Sequence, residues 1–236
     1  MSKPIIIYVE GNIGSGKTTF LRLLKQYLPD LYEYNIDASI VLEPVDLWLE
    51  TLDSDGKNIL EKFYEDQEKW GYAFQMNSFI SRVKSIKDEI TKSSNVGIDG
   101  FPLKKVVFVE RSIYTDKNCF ARLCYENGKM TKLEYDIYCN WNNWLSTEFD
   151  ISPHSYIYLH CNPNVNNERI IERNRDGESN IPIKYLEQLH EKHEIWMKEE
   201  KDKGIPIFTI DSLENFKDPI KMGEIFDKLV KFMFVN

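Results

Sequence analysis

The sequence predicts an α/β protein built on a central parallel sheet of five strands flanked by helices. Three observations carry that reading. Short apolar runs alternate with helical patterns along the chain. The first run leads straight into a glycine-rich turn that opens a helix. No repeat, low-complexity tract or shift in composition interrupts the 236 residues. A chain of this length buries a full core without disulfide or metal staples. The expectation is therefore one doubly wound domain spanning residues 1–236.

The elements follow in order. Ile5 to Glu10 is an apolar run that ends at a glycine, the first strand. Thr18 to Leu28 places Leu21, Leu24 and Leu28 on one helical face, with Pro29 as its stop. Ile40 to Val45 reads as the second strand, ended by Pro44. A long helix is expected from about Gln67 to Ile90, with Phe79, Val83, Ile86 and Ile90 on one stripe. Thr91 to Pro102 is polar and reads as a surface connection. Lys105 to Glu110 forms the third strand and Tyr156 to His160 the fourth. Asn162-Pro163 then supplies an N-cap followed by proline at the first helical position. Ile183 to Met197 carries Leu186, Leu189, His193 and Trp196 at helical spacing, and Pro206 to Ile210 is the fifth strand.

Composition excludes several functions. Hydrophobic residues make up 42% and charged residues 29%, as in ordinary globular proteins. The formal charge of −8 argues against binding a nucleic acid polymer, which needs clustered Lys and Arg. No apolar stretch reaches the ~20 residues of a membrane span. Cys119, Cys124, Cys139 and Cys161 show no CxxC and no metal-ligand spacing, and read as reduced thiols. Met-Ser-Lys-Pro runs directly into the first strand without a signal or transit peptide, so a cytoplasmic site is expected.

Gly11-Asn12-Ile13-Gly14-Ser15-Gly16-Lys17-Thr18 fits GxxxxGK[ST] between a strand and a helix, the context the motif requires. Its backbone N–H groups and the helix dipole suit a triphosphate, Lys17 the β- and γ-phosphates, and Thr18 Mg²⁺. Three classes compete for that triphosphate: a GTPase-type switch, an ATPase motor and a small-molecule kinase. No Asn-Lys dipeptide exists to read guanine, and 236 residues leave little room for motor modules. A kinase needs an acceptor base and a charge clamp. Glu43 and the pair Glu110-Arg111 close strands at the edge where α/β sheets bind ligands. Arg169 and Arg173 share a helix face, and Arg175 opens a polar loop, a set suited to a closing lid at about 169–181.

These residues resemble the deoxynucleoside kinase family. The matches run in order: Gly11 to Thr19, Glu43-Pro44-Val45 with Trp48, Tyr64, Trp70 to Gln75, and Ser81-Arg82. They continue through Glu110-Arg111-Ser112, Tyr114, Asp116, Phe120-Ala121, Arg169, Arg173-Asn174-Arg175, Ile181-Pro182, Tyr185-Leu186-Glu187, Leu189-His190, His193-Glu194 and Trp196. The resemblance implies a P-loop kinase fold with an arginine-rich lid. It implies ATP and Mg²⁺, a small deoxynucleoside as partner, and a homodimer. It implies that Glu43 is the base for the 5′-hydroxyl, that Arg111 orients it, and that Glu110 joins Thr18 at Mg²⁺. Tyr64 and Glu178 resemble the pair that holds the sugar 3′-hydroxyl, and Gln75 the amide that reads the base. Trp48, Phe74 and Phe120 resemble the aromatic walls. Arg173 and Arg175 resemble the lid clamps, while Arg169, Asn215 and Phe216 resemble the adenine side.

Gln75 and Arg82 are seven apart on one helix and face the same way; Asp116 and Phe120 are i, i+4 on the next. Arg82 and Asp116 are thus expected as a charged pair deep in the base pocket. In the family that pair goes with deoxycytidine and purine substrates, and Ser78 leans the reading toward purines. Where the family lid often has two consecutive acids, this chain has Gly177 and then Glu178. A nucleoside monophosphate kinase and a non-enzymatic nucleotide switch remain the alternatives.

Overall fold

The computed structural model describes residues 3–98, 100–175, 178, 181–213 and 216–235. Five parallel strands, β1 (Ile5–Glu10), β2 (Ile36–Val41), β3 (Lys104–Glu110), β4 (Ser155–His160) and β5 (Ile207–Asp211), run in the order β2-β3-β1-β4-β5. The central β1 sends alternate residues to opposite faces, as the two-residue period of a strand requires. Ile6 and Tyr8 join one core, against Phe79, Val83, Ile86, Leu186, Leu189 and Trp196. Ile7 and Val9 join the other, against Phe20, Leu21, Leu24, Ile225 and Leu229. The first core is covered by α4 (Gln67–Ile90), α7 (Lys132–Glu148) and α9 (Ile183–Asp202). The second is covered by α1 (Lys17–Leu24) and α10 (Pro219–Val235). Among the described residues no helix is long and apolar enough to cross a membrane, and all four cysteines are free.

Three boundaries differ from expectation by more than one residue. The second strand is Ile36–Val41, not Ile40 to Val45. As an edge strand it pairs with β3 alone and is half-buried, so Asp37 and Ser39 break the apolar run that would have marked it. Glu43 therefore sits just beyond the strand, and Pro44 caps α2 (Val45–Glu50). The first helix ends at Leu24, and Pro29 falls in the opening turn of a 3₁₀ helix, Leu28–Tyr34, where its missing N–H costs nothing. The penultimate helix continues past Met197 to Asp202, through polar residues that carry no apolar signal.

Capping explains elements without a strong hydrophobic stripe. Asn58 and Glu61 form a reciprocal capping box on α3 (Ile59–Glu65), and Thr131 and Glu134 form another on α7. Asn162 accepts from Asn164 N at 2.9 Å and starts α8 (Pro163–Arg173) as expected. After β3 the chain makes α5 (Ile113–Thr115), a π-helical turn over Asp116–Ala121, and α6 (Arg122–Glu126).

Candidate active site

The phosphate loop closes over the carboxyl end of β1. Gly11 and Gly14 have φ of 142° and 75°, which side chains rarely adopt. Space forbids a side chain as well. A Cβ on Gly11 would lie 2.6 Å from the Leu159 carbonyl oxygen, and one on Gly14 2.5 Å from that of Asn166. Lys17 is buried, and its ammonium donates to the Gly11 and Asn12 carbonyls at 2.9 and 2.8 Å. Burial, reinforced by Arg111, lowers Lys17 to about 7 against the pull of Glu43, Glu110 and Glu10. Asn12 braces the loop through its side-chain donation to Leu186 O at 2.9 Å. Ile13, Thr18 and Thr19 face the same cavity of about 960 Å³ that the acceptor residues line, while Ser15 is buried within the loop.

The acceptor side is a chain of charges. Thr18 Oγ1 donates to Glu110 Oε1 at 2.5 Å, and Glu110 Oε2 accepts from Glu43 N at 3.3 Å. Glu43 Oε1 lies 2.8 Å from Arg82 Nη1 and 3.3 Å from Arg111 Nε. Burial alone raises the Glu43 carboxyl, but Arg82, Arg111 and Lys17 outweigh it and hold it at about 2. Arg82 also forks onto Asp116, with Nε and Nη2 donating at 2.8 and 3.0 Å. The expected pair is therefore present, and it extends to Glu43, a link the sequence did not reveal. Asp116 is buried, which raises its carboxyl against the opposing pull of Arg82. Arg111 has a left-handed φ of 63°, a strained value for a side chain this size. Its guanidinium lies 4.7 Å from the Phe120 ring centroid, and its Nη1 is buried without a hydrogen-bond partner, an orphan donor suited to an anion.

Aromatic rings wall the neighbouring space. Trp48 and Phe74 meet edge-to-face at 5.5 Å, Phe63 stacks on Phe74 at 4.6 Å, and Trp48 Nε1 is fixed by Ser81 Oγ at 2.9 Å. Gln75 and Ser78 are buried at the cavity wall beside Arg82. The wide π-helical turn brings both Asp116 and Phe120 to the cavity. Tyr64 lines it too, its hydroxyl pKa pushed up by burial and then by Glu178.

Arg173 and Arg175 converge on one acid. Arg173 Nη2 bonds Glu178 Oε2, and Arg175 Nη1 lies 3.1 Å from Glu178 Oε1. Arg169 donates to Ser212 O at 2.7 Å and to Ser15 O at 3.4 Å, tying the turn after β5 to the phosphate loop. Phe216 is buried at the cavity against Phe20, with ring centroids 6.1 Å apart. Asn215 and Gly177 lie outside the described residues.

Sequence reasoning missed three contributors. Glu10 is buried, accepts from Ser112 N at 2.9 Å and from Thr115 Oγ1, and so fixes the turn that carries Arg111. Its signal was an acid ending an apolar strand just before the glycines. Phe63 completes the aromatic wall, and Lys217 adds a cation beside Phe216; neither had a motif to mark it.

Residues 7–233 match the family model described as deoxynucleoside kinase. The chain is 34% identical over 248 residues to deoxycytidine kinase of Rattus norvegicus, covering 96% of this chain and 90% of that protein. It is 32% identical over 252 residues to deoxycytidine kinase of Mus musculus, with the same coverage. It is 30% identical over 246 residues to the mitochondrial deoxyguanosine kinase of Xenopus laevis, covering 94% and 87%.

Proposed function

The chain belongs to the deoxynucleoside kinase family, an ATP-dependent phosphotransferase of nucleotide salvage, and on that premise we propose which residues carry the reaction and on what substrate. The acceptor is the 5′-hydroxyl of a purine deoxynucleoside or deoxycytidine. Glu43 accepts the hydroxyl proton. With its carboxyl held at about 2, it is ionised throughout the working pH range. It acts first as an acceptor that aims the hydroxyl, because proton loss is late in a loose phosphoryl transfer. Arg111 orients Glu43 and meets the moving phosphoryl with its unpartnered Nη1, while Arg173 and Arg175 close on the phosphates. Lys17 contacts the β- and γ-phosphates within the cradle of Gly11, Asn12, Ile13, Gly14, Ser15, Gly16, Thr18 and Thr19.

The Thr18 hydroxyl beside the Glu110 carboxylate is an all-oxygen donor pair that fits Mg²⁺. Bound there, the ion would neutralise charge on the β- and γ-phosphoryl oxygens. Tyr64 and Glu178 hold the sugar 3′-hydroxyl. Gln75, Arg82 and Asp116 read the base between Trp48, Phe74 and Phe120. Arg169, Phe216 and Asn215 attend the adenine. We further infer a single domain with its lid at 169–181, a cytoplasmic site and a homodimer. The dimer reading is supported by exposed Ile80 on α4 and Trp141 and Trp144 on α7.

The observation that carries the assignment is the unbroken chain Thr18–Glu110–Glu43–Arg82–Asp116, which joins the phosphate loop to the base pocket. Its test is a steady-state panel of the four deoxynucleosides and their 5′-monophosphates with γ-labelled ATP and Mg²⁺. Label is expected in deoxyguanosine, deoxyadenosine or deoxycytidine monophosphate. Transfer to deoxynucleoside monophosphates alone, or a preference for thymidine, would overturn the assignment.

A further inference from the structure

We propose that His160, His190 and Glu194 form a transition-metal site of the zinc class, separate from the kinase cavity. His160 is the last residue of β4, and His190 and Glu194 lie i, i+4 on α9, hence on one helix face. One ligand atom from each lies within 4.8 Å of the other two. His160 Nε2 is 3.7 Å from Glu194 Oε1. Tetrahedral Zn²⁺ with bonds of about 2.0–2.2 Å sets its ligand atoms about 3.3 Å apart, so closure asks for side-chain shifts of about an ångström.

Orientation and access favour a ligand set over a simple ion pair. The two imidazole rings meet at 58° with centroids 5.5 Å apart, a convergent arrangement rather than a stack. Glu194 Oε1 accepts from the Tyr158 hydroxyl at 2.6 Å, an outer contact that fixes the carboxylate, as partners of metal ligands commonly do. His160 and Glu194 are each about half exposed, at 45% and 46%, so an ion has a path from solvent. Two imidazoles and one carboxylate select zinc, cobalt or nickel over magnesium, a harder ion that prefers oxygen.

None of the three residues lines the kinase cavity. They do join two elements that hold the phosphate loop. Leu186, one turn before His190, accepts from Asn12 at 2.9 Å. Leu159, beside His160, backs Gly11 with its carbonyl. A metal here staples β4 to α9 behind the loop.

The test titrates chelator-stripped full-length protein, without nucleotide, with Zn²⁺ by calorimetry and with Co²⁺ by visible absorption. Wild type, His160→Ala, His190→Ala and Glu194→Gln are compared, each checked for folding by circular dichroism. The expected result is one ion per chain, Co²⁺ bands of low coordination number, and no displacement by millimolar Mg²⁺. Affinity should fall at least about tenfold in both histidine variants. His160→Ala alters a strand end and leaves α9 intact, so the two histidine variants fail independently if one misfolds. Absence of binding would overturn the site, as would equal binding in wild type and both histidine variants, which would place the ion elsewhere on the chain.

Discussion

Arg82→Met is the perturbation for which the structure gives the sharpest expectation. Arg82 makes two hydrogen bonds to Asp116, at 2.8 and 3.0 Å, and one to Glu43 at 2.8 Å. Asp116 is 1% exposed, too buried for solvent to replace them. Stranding one member of a buried pair costs about 3–5 kcal/mol, a large share of the roughly 5–15 kcal/mol that holds a domain folded. Asp116→Ala is not the mirror image, because Arg82 keeps Glu43 as a partner. The order of stability should be wild type, Asp116→Ala, the double variant, then Arg82→Met, with the double above Arg82→Met by about 2 kcal/mol or more. The pH dependence has a definite sign. Burial already raises Asp116, and losing Arg82 raises it further. The folded state then keeps a proton that the unfolded state releases, so stability of Arg82→Met falls as pH rises from the unfolded Asp value toward the raised folded one. Asp116→Ala in the same background removes that slope. Urea denaturation of the four proteins at two pH values measures all of this. A loss below about 1 kcal/mol for Arg82→Met, or a double variant no more stable than it, would refute the argument. The double variant also enlarges and neutralises the cavity beside Gln75 and Phe120. The kcat/KM ratio for thymidine against the best natural substrate should rise, and a change within about threefold, roughly 0.7 kcal/mol, would mean the pair does not read the base.

Three other outcomes are expected. Glu43→Gln should lower kcat by ~10²-fold or more with nucleoside binding little changed, and a near-normal kcat would remove Glu43 from the mechanism. Lys17→Met should abolish triphosphate binding while sparing the nucleoside. It should also flatten the pH dependence of stability: with Lys17 lowered to about 7, the unfolded chain holds an extra proton from there to its ordinary value, so wild-type stability rises with pH across that window. Parallel stability curves for the two proteins would contradict the lowered Lys17 value. Gly14→Ala should cost about 1–3 kcal/mol and weaken ATP binding, because φ is 75° and the new methyl meets the Asn166 carbonyl; an unperturbed melting temperature would count against the cradle geometry.

What is local could be read along the chain. The glycines at 11, 14 and 16 name a loop because their backbone angles admit little else. The apolar run of β1 names a central strand because both its faces are buried, and Asn162-Pro163 names a helix start because its hydrogen bonds are short-range. Ordered matches over nearly the whole chain then carried the family and the candidate site residues. Tertiary structure decided what depends on distant neighbours. β2 is half-exposed, so its pattern resembles a loop and the strand was placed four residues late. Arg82 reads in sequence as half of one pair; only the fold, which brings residue 43 beside residue 82, makes it a bridge between Asp116 and Glu43. The same holds for Glu178, gripped by Arg173 and Arg175, and for His160, which meets α9 only after the chain has left the sheet and packed back against it. Local preferences are written in spacing along the chain. Ion pairs and ligand sets are written in the packing of segments far apart in sequence, and that packing exists only once the core on each face of the sheet has closed.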